Sequence, residues 1–274
     1  MYLPDVPDIF IGDTPVERIY QGDELVWPTN YESLYTTLEI LSAGTLSFQS
    51  ESCPEGVVSS TVVLDYSIND SGWTHITWTT SINVQAGDSV RIKALFSDRP
   101  RGTYSGDYAP SLSGSTAVFN VYGNALSLLY GDAFTGYTAF TDYYAFSGLF
   151  KDTNVVSAKH WVLPKQETYY AKWFNQTFQN AHMLIEGPVF RCSSASTSCF
   201  DWCFIYNTSL EKIAVPYLEQ IPTGGFNWWV AGVPNTGTFI KKEGVSWRYW
   251  DSDYDAWANY GRSGIPEIWT VIEA

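Results

Sequence analysis

Histidine, methionine and cysteine are scarce in this chain, at three, two and four residues of 274. The histidines, His75, His160 and His182, are scattered and form no triad or metal spacing. Charge is thin as well: Lys, Arg, Asp and Glu reach only 16%, with 15 basic against 29 acidic residues. A formal net charge of −14 argues against nucleic-acid phosphate as a partner, because few cations are present to replace its counterions. It argues equally against an anionic membrane surface. Apolar runs fall far short of a membrane span. No segment keeps a helical period beyond about three turns, so long helices are excluded. Met1 to Asp5 holds neither a basic nor an apolar leader region, and the expectation is a chain made in a cytoplasm.

What the chain does have is aromatic residues, at 17%, with 19 Tyr, 15 Phe and 12 Trp. Many Tyr, Trp and Thr with few charges suit strands and extended surfaces, so the fold is expected to be mainly β.

One pattern occurs three times between Phe146 and Pro222. Each copy opens on an i, i+3, i+4 cluster: Phe146, Leu149, Phe150; Phe174, Thr177, Phe178; Phe200, Cys203, Phe204. An aliphatic residue follows at Val156, Leu184 and Leu210, and a proline at Pro164, Pro188 and Pro216. The second phenylalanine of each cluster, Phe150, Phe178 and Phe204, returns at a nearly constant interval. Periods of roughly 20–50 residues mark a stacked solenoid, in which each unit buries its apolar face under a neighbour. The cluster spacing predicts one or two helical turns per unit.

Residues 1–30 carry a tighter repeat. Ile9-Phe10-Ile11-Gly12-Asp13-Thr14-Pro15-Val16 is echoed by Ile19-Tyr20-Gln21-Gly22-Asp23-Glu24-Leu25-Val26, followed by Trp27. Each half predicts a strand, a Gly-Asp turn and a strand. So short a stretch makes no core of its own, and its apolar residues must bury against the next domain or another protein. Residues 31–123 predict a small antiparallel β-sandwich. Val62 to Ile68 alternates, turns at Asp70-Ser71-Gly72 and returns through Trp73 to Trp78. A further strand runs through Val90, Ile92 and Ala94 with Arg91 and Lys93 outward, and Val118 to Tyr122 closes the domain. Residues 124–240 hold the linker, with Leu126, Leu128 and Leu129 as a short cap, and the three-unit repeat. Residues 241–274 form an aromatic loop and a cap, and Thr238 to Lys241 with Trp269 to Ile272 are expected to make a terminal β-hairpin.

Candidate chemistry is sparse. Cys192, Cys199 and Cys203 with His182 match no usual zinc spacing, and Cys199 and Cys203 fall on buried repeat positions as small apolar residues. Pairing of Cys192 with Cys199 is the alternative outside the cell. Ala86-Gly87-Asp88-Ser89 reads as a turn between strands rather than an esterase motif. Asp251, Asp253 and Asp255 alternate like a calcium loop, but Ala256 and Arg262 replace its required Gly and Glu. Interleaved with these acids are Trp247, Tyr249, Trp250, Tyr254, Trp257 and Tyr260. Aromatic faces beside carboxylates suit sugar rings and hydroxyls, and they suit packing over the end of the stack equally well. No catalytic residues, cofactor or metal are expected, so the chain is read as a non-enzyme.

The strings IYQGDELVWP, VLDYSINDSGW, INVQAGDSVRIKA, FNVYGNALSLLYGDAF and TGTFIKKEG…SGIPEIWTV resemble proteins of gut Bacteroidales and their crAss-like phages. Those proteins carry BspA-like leucine-rich repeats behind a small β domain. Where that repeat has Cys before Thr-Ser-Leu, this chain has Thr153, Ala181 and Asn207, and only Asn207-Thr208-Ser209-Leu210 keeps the rest. The stretch Ile9 to Trp27 is similar to N-terminal segments of phage fibre and appendage proteins, which implies attachment to a virion. The resemblance therefore implies a head fibre or capsid decoration protein located in the virion. Residues 1–30 would dock on capsid or other virion proteins, and the protein would be a homodimer or homotrimer with host-surface glycan as an outward ligand. A bacterial surface leucine-rich-repeat adhesin is the alternative the same resemblance allows.

Overall fold

The computed structural model describes residues 31–48, 64–76, 80–95, 110–140, 143–221, 224–247 and 264–274 in full, and the backbone of 10–11, 14–15, 19–21, 24–27, 49–50 and 249–250. Four short strands come first: β1 (Phe10–Ile11), β2 (Thr14–Pro15), β3 (Ile19–Gln21) and β4 (Glu24–Trp27). β1 pairs antiparallel with β2 and β3 with β4, as the strands of the tandem repeat are expected to, while Gly12-Asp13 and Gly22-Asp23 lie outside the described residues. Each pair is a two-stranded sheet of its own.

The next segment supplies β5 (Thr36–Ser42), β6 (Gly44–Ser50), β7 (Leu64–Ile68), β8 (Thr74–Ile76), β9 (Thr80–Val84), β10 (Ser89–Ala94), β11 (Pro110–Ser111) and β12 (Val118–Asn124). The short helix α1 (Ser127–Tyr130) follows, with Leu126, Leu128 and Leu129 buried as the expected cap. Then come β13 (Asn154–Val162), β14 (Gln166–Tyr169), β15 (Glu186–Val189), β16 (Cys192–Ala195), β17 (Lys212–Val215), β18 (Thr238–Lys241), β19 (Tyr249–Trp250), β20 (Ile265–Pro266) and β21 (Thr270–Glu273).

The fold is mainly β, dominated by one mixed sheet of ten strands in the order β21-β18-β17-β15-β13-β12-β5-β10-β7-β8. β12 is where its character changes: antiparallel to β5 on one side, parallel to β13 on the other. The sheet therefore runs unbroken across residues 123 and 124. Alternation explains the burial of its centre, since Leu38 and Ile40 of β5 and Phe119 and Val121 of β12 all face the core. Gly123 is required at the end of β12. It has φ +87°, and a Cβ there would lie 2.0 Å from the carbonyl oxygen of Tyr35. β7 and β8 form the expected hairpin, with Asn69 and Asp70 at φ 48° and 61° where the chain begins to reverse. β6, β9 and β11 form a separate three-stranded sheet, and Phe48 of β6 stacks on Tyr66 of β7 at 6.0 Å.

On the parallel side, β13, β15, β17, β18 and β21 pair in parallel one after another, with a register shift between β15 and β17. Opposite them lies a ladder of turns rather than the helical turns expected from the i, i+3, i+4 clusters. Every second N–H in these segments donates to the next repeat: Phe146 to Trp173, Gly148 to Asn175 and Phe150 to Thr177, then Phe174 to Cys199 and Phe178 to Cys203, then Phe200 to Gly225 and Phe204 to Trp229. Donors committed to a neighbouring segment cannot close helical i−4 bonds, so the clusters stay extended and turned. The buried set is nevertheless the expected one: all nine cluster residues are at most 2% exposed. Their rings stack in two columns. Phe146, Phe174, Phe200 and Phe226 lie 5.5, 5.5 and 4.6 Å apart, and Phe150, Phe178 and Phe204 lie 5.4 and 5.4 Å apart. Burial of each ring contributes about 2–3 kcal/mol.

Several sequence expectations are corrected by this geometry. The ladder has four segments rather than three, because Phe226 continues the column of Phe146, Phe174 and Phe200 by one more ring. The inward aliphatic position of the first unit is Val155, fully buried, with Val156 only half-buried. Pro188 lies inside β15 whereas Pro216 follows β17, so the prolines hold no common position. The terminal pair β18 and β21 is parallel and therefore no hairpin. Lys93, expected outward in solvent, has its side chain 8% exposed and its ammonium 2.7 Å from Asp132.

Candidate functional site

The ladder segments share a second regularity, in backbone torsion. Residues with positive φ recur every fourth position, and they align across the four segments in three columns. Tyr144, Lys172, Ser198 and Gly224 make the first; Gly148, Gln176, Trp202 and Trp228 the second; Asp152, Asn180, Tyr206 and Gly232 the third. Each carries φ between 53° and 76°. Glycine adopts this region freely and Asn or Asp tolerate it, but for other L-residues it costs about 1 kcal/mol or more each. The ridge thus bears aromatic rings where the backbone alone would favour glycine.

The rings stand at the surface. Trp202 is 42% exposed and Tyr206 52% exposed, in a chain whose other repeat aromatics are mostly buried. Tyr206 lies against Gly232 of the next segment: a Cβ there would fall 2.6 Å from its ring. His182 Nδ1 lies 2.8 Å from the Tyr206 carbonyl oxygen. Charged members of the ridge are occupied by neighbours. The Lys172 ammonium donates to the Tyr144 hydroxyl at 2.5 Å and sits 4.8 Å from its ring centroid, and Asn180 Nδ2 donates to Asp152 at 2.7 Å. Asp201 accepts from the Asn227 backbone N–H at 2.8 Å and from its amide at 3.2 Å. Burial pushes the Asp201 carboxyl above the ordinary aspartate range despite those bonds.

Of the residues expected at the aromatic C-terminal site, Trp247 is a core residue. It is 9% exposed and packs on Phe239, Phe226 and Trp229 at 4.8, 5.1 and 5.6 Å. Its indole N–H is buried without a hydrogen-bond acceptor among the described residues. An open cleft of about 310 Å³ runs past it between Lys241, Ser246, Ile265 and Glu273, with Lys241 paired to Glu273. Tyr249 and Trp250 form β19, which pairs in parallel with β20. Asp251, Asp253, Tyr254, Asp255, Trp257 and Tyr260 lie outside the described residues.

Of the expected anchor residues, Phe10 and Ile11 lie on β1, Ile19 and Tyr20 on β3, and Leu25, Val26 and Trp27 on β4. Ile9 and Val16 lie outside the described residues.

One further grouping escaped the sequence reading. Lys93, Asp132, Tyr35, Trp73 and Arg91 form one cluster. The Lys93 ammonium is 4.3 Å from the Trp73 ring centroid, and the Tyr35 hydroxyl donates to Asp132 at 2.7 Å. Hydrogen bonds from Lys93 and Tyr35 hold the Asp132 carboxyl below its usual range, and burial first, Asp132 second, pushes the Tyr35 hydroxyl up to about 12. Cys192, Cys199 and Cys203 are free thiols, all buried, and burial raises each well above the ordinary cysteine value. The Cys192–Cys199 disulfide is accordingly absent. Among the described residues no three His, Cys, Asp or Glu side chains gather as a metal site, and no helix is long and apolar enough to cross a membrane.

Comparison with protein-family models, with curated proteins and with solved structures finds no match for this chain.

Proposed function

We propose that this chain is a structural protein of a bacteriophage virion, a head fibre or capsid decoration protein, that displays a leucine-rich-repeat-like solenoid behind a small β-sandwich. The observation that carries the reading is the separation of the N-terminal strands. Among the described residues, β1–β2 and β3–β4 pair only as two-stranded sheets and add no strand to the ten-stranded one. Isolated two-stranded ladders are marginal in water, so a segment of this kind gains stability from another surface. In this reading residues 1–30 dock on a capsid or fibre protein, the chain assembles as a homodimer or homotrimer, and the stacked repeats form a stiff outward arm. Its work is attachment and display, not catalysis.

The test is deletion of residues 1–30. The truncated protein should unfold at the same urea concentration as the full chain yet no longer join particles, scored by immunoblot of gradient-purified virions. Undiminished incorporation rejects the anchor. A bacterial surface adhesin built on the same repeat is the second reading, favoured by the exposed rings of Trp202 and Tyr206. Recovery of the protein in cell envelopes instead of particles would select it.

A further inference from the structure

We propose that the left-handed ridge, centred on Trp202 and Tyr206, is a binding surface for a neutral glycan; the proposal rests on the reading of the chain as a displayed, host-contacting protein. Three observations carry it. The first is placement against strain. Five of the twelve column positions, Gly148, Asp152, Asn180, Gly224 and Gly232, suit a positive φ, and the other seven, among them Trp202 and Tyr206 at 61° and 62°, carry residues that the backbone disfavours. Both rings remain 42% and 52% exposed, so core burial does not account for their being there. An unfavourable backbone residue with an exposed ring is what a site needing that ring would retain.

The second is the company the rings keep. Gln176 precedes Trp202 in its column and Asn180 precedes Tyr206, so each ring has one amide neighbour along the stack; Gln176 Oε1 accepts from Lys151 Nζ at 3.2 Å and Asn180 Nδ2 donates to Asp152 at 2.7 Å, which holds both amides in place. Aromatic surface with amide donors and acceptors is the combination that meets the apolar faces and hydroxyls of a sugar ring. Successive segments are hydrogen-bonded neighbours, as strands are, so equivalent positions repeat about every 4.8 Å and offer a regular track for a linear polymer.

The third is charge. Lys172 and Asp152, the two charged ridge members, are engaged by Tyr144 and Asn180, and the whole chain carries −14. An anionic polysaccharide would be repelled, which leaves the uncharged class.

The experiment is affinity electrophoresis of the full chain through native gels containing dextran, laminarin or hydroxyethyl cellulose, with polygalacturonate as the anionic control. The informative variant is Trp202→Asn with Tyr206→Asn, because asparagine keeps the left-handed backbone while removing the rings. Retardation is expected in at least one neutral gel, weakened about tenfold or more in the variant, with an unchanged or higher urea midpoint. The proposal is overturned by absence of retardation in all three neutral gels, by retardation only in polygalacturonate, or by equal retardation of the variant. A clear fall in the urea midpoint would overturn it too, by making the rings packing residues. So would a dimer in light scattering that the variant abolishes, which would give the ridge to a second copy. Particle attachment is scored separately by the deletion of residues 1–30, so either reading can fail alone.

Discussion

Phe178 and Phe204, equivalent members of successive repeats, stack with centroids 5.4 Å apart and planes within 5° of parallel. Each lies in a segment whose alternate N–H groups donate to the next, so the rings and the backbone enforce one another's spacing.

That coupling makes the stack intolerant of truncation. Phe178→Ala should cost about 3–5 kcal/mol, the range for a fully buried aromatic. Urea unfolding followed by tryptophan fluorescence measures it, and a loss below about 1 kcal/mol would mean the column is not a unit of stability.

Glycine positions separate backbone collision from simple strain. Gly123→Ala meets the Tyr35 carbonyl oxygen at 2.0 Å and should cost about 3 kcal/mol or more, whereas Gly87→Ala, with φ +90° and nothing within 4 Å, should cost about 1 kcal/mol. Paired denaturation curves test the ordering, and equal losses would contradict it.

The thiols should be silent in the native protein. Cys192, Cys199 and Cys203 are buried with raised pKa values, so thiolate is scarce and access closed. A Cys53→Ser variant should release no thionitrobenzoate from Ellman's reagent until denaturant unfolds it, and then three equivalents. Rapid native labelling would refute the burial.

The Lys93–Asp132–Tyr35 cluster sets two pH limits of opposite sign. Asp132 has a lowered folded value, so its contribution is complete above the ordinary aspartate pKa of about 3.9 and is lost as pH falls through the folded one. Tyr35 has a raised value, so its contribution is complete below about pH 10 and is lost as pH rises through about 12. Comparing the native chain with Asp132→Asn and Tyr35→Phe across pH 2.5 to 12 should show each difference closing at its own end. A difference independent of pH would remove the linkage.

The sequence disclosed the β character and the repeat because both rest on local spacing. Phe146, Phe174 and Phe200 return at nearly equal intervals, and Val90, Ile92 and Ala94 alternate as a strand must. The path of the backbone was less visible. An i, i+3, i+4 cluster is produced by a helix, and equally by a turned segment that lends its N–H groups to a neighbour; only the partner distinguishes them. The fourth ladder segment was legible in principle, since Phe226 follows Phe200 at the same interval as Phe204 follows Phe178. It was hidden by Trp228 and Trp229, which read as the end of a pattern. The ridge gave less warning still. Trp202 and Tyr206 betray nothing of their φ, because no propensity rule places aromatics there. Trp247 misled in the other direction: a tryptophan among acids looks like a ligand platform until its neighbours Phe226 and Phe239 are seen around it.

The fixed step from Phe178 to Phe204 has a consequence for size. Excising residues 178 to 203 would bring Phe204 onto Phe150 with every turn and strand still in phase. Duplicating them would insert one more layer, lengthening the arm by about 4.8 Å. Reach can thus be adjusted in whole layers while the two ends stay as they are, like a telescope tube whose sections share one thread.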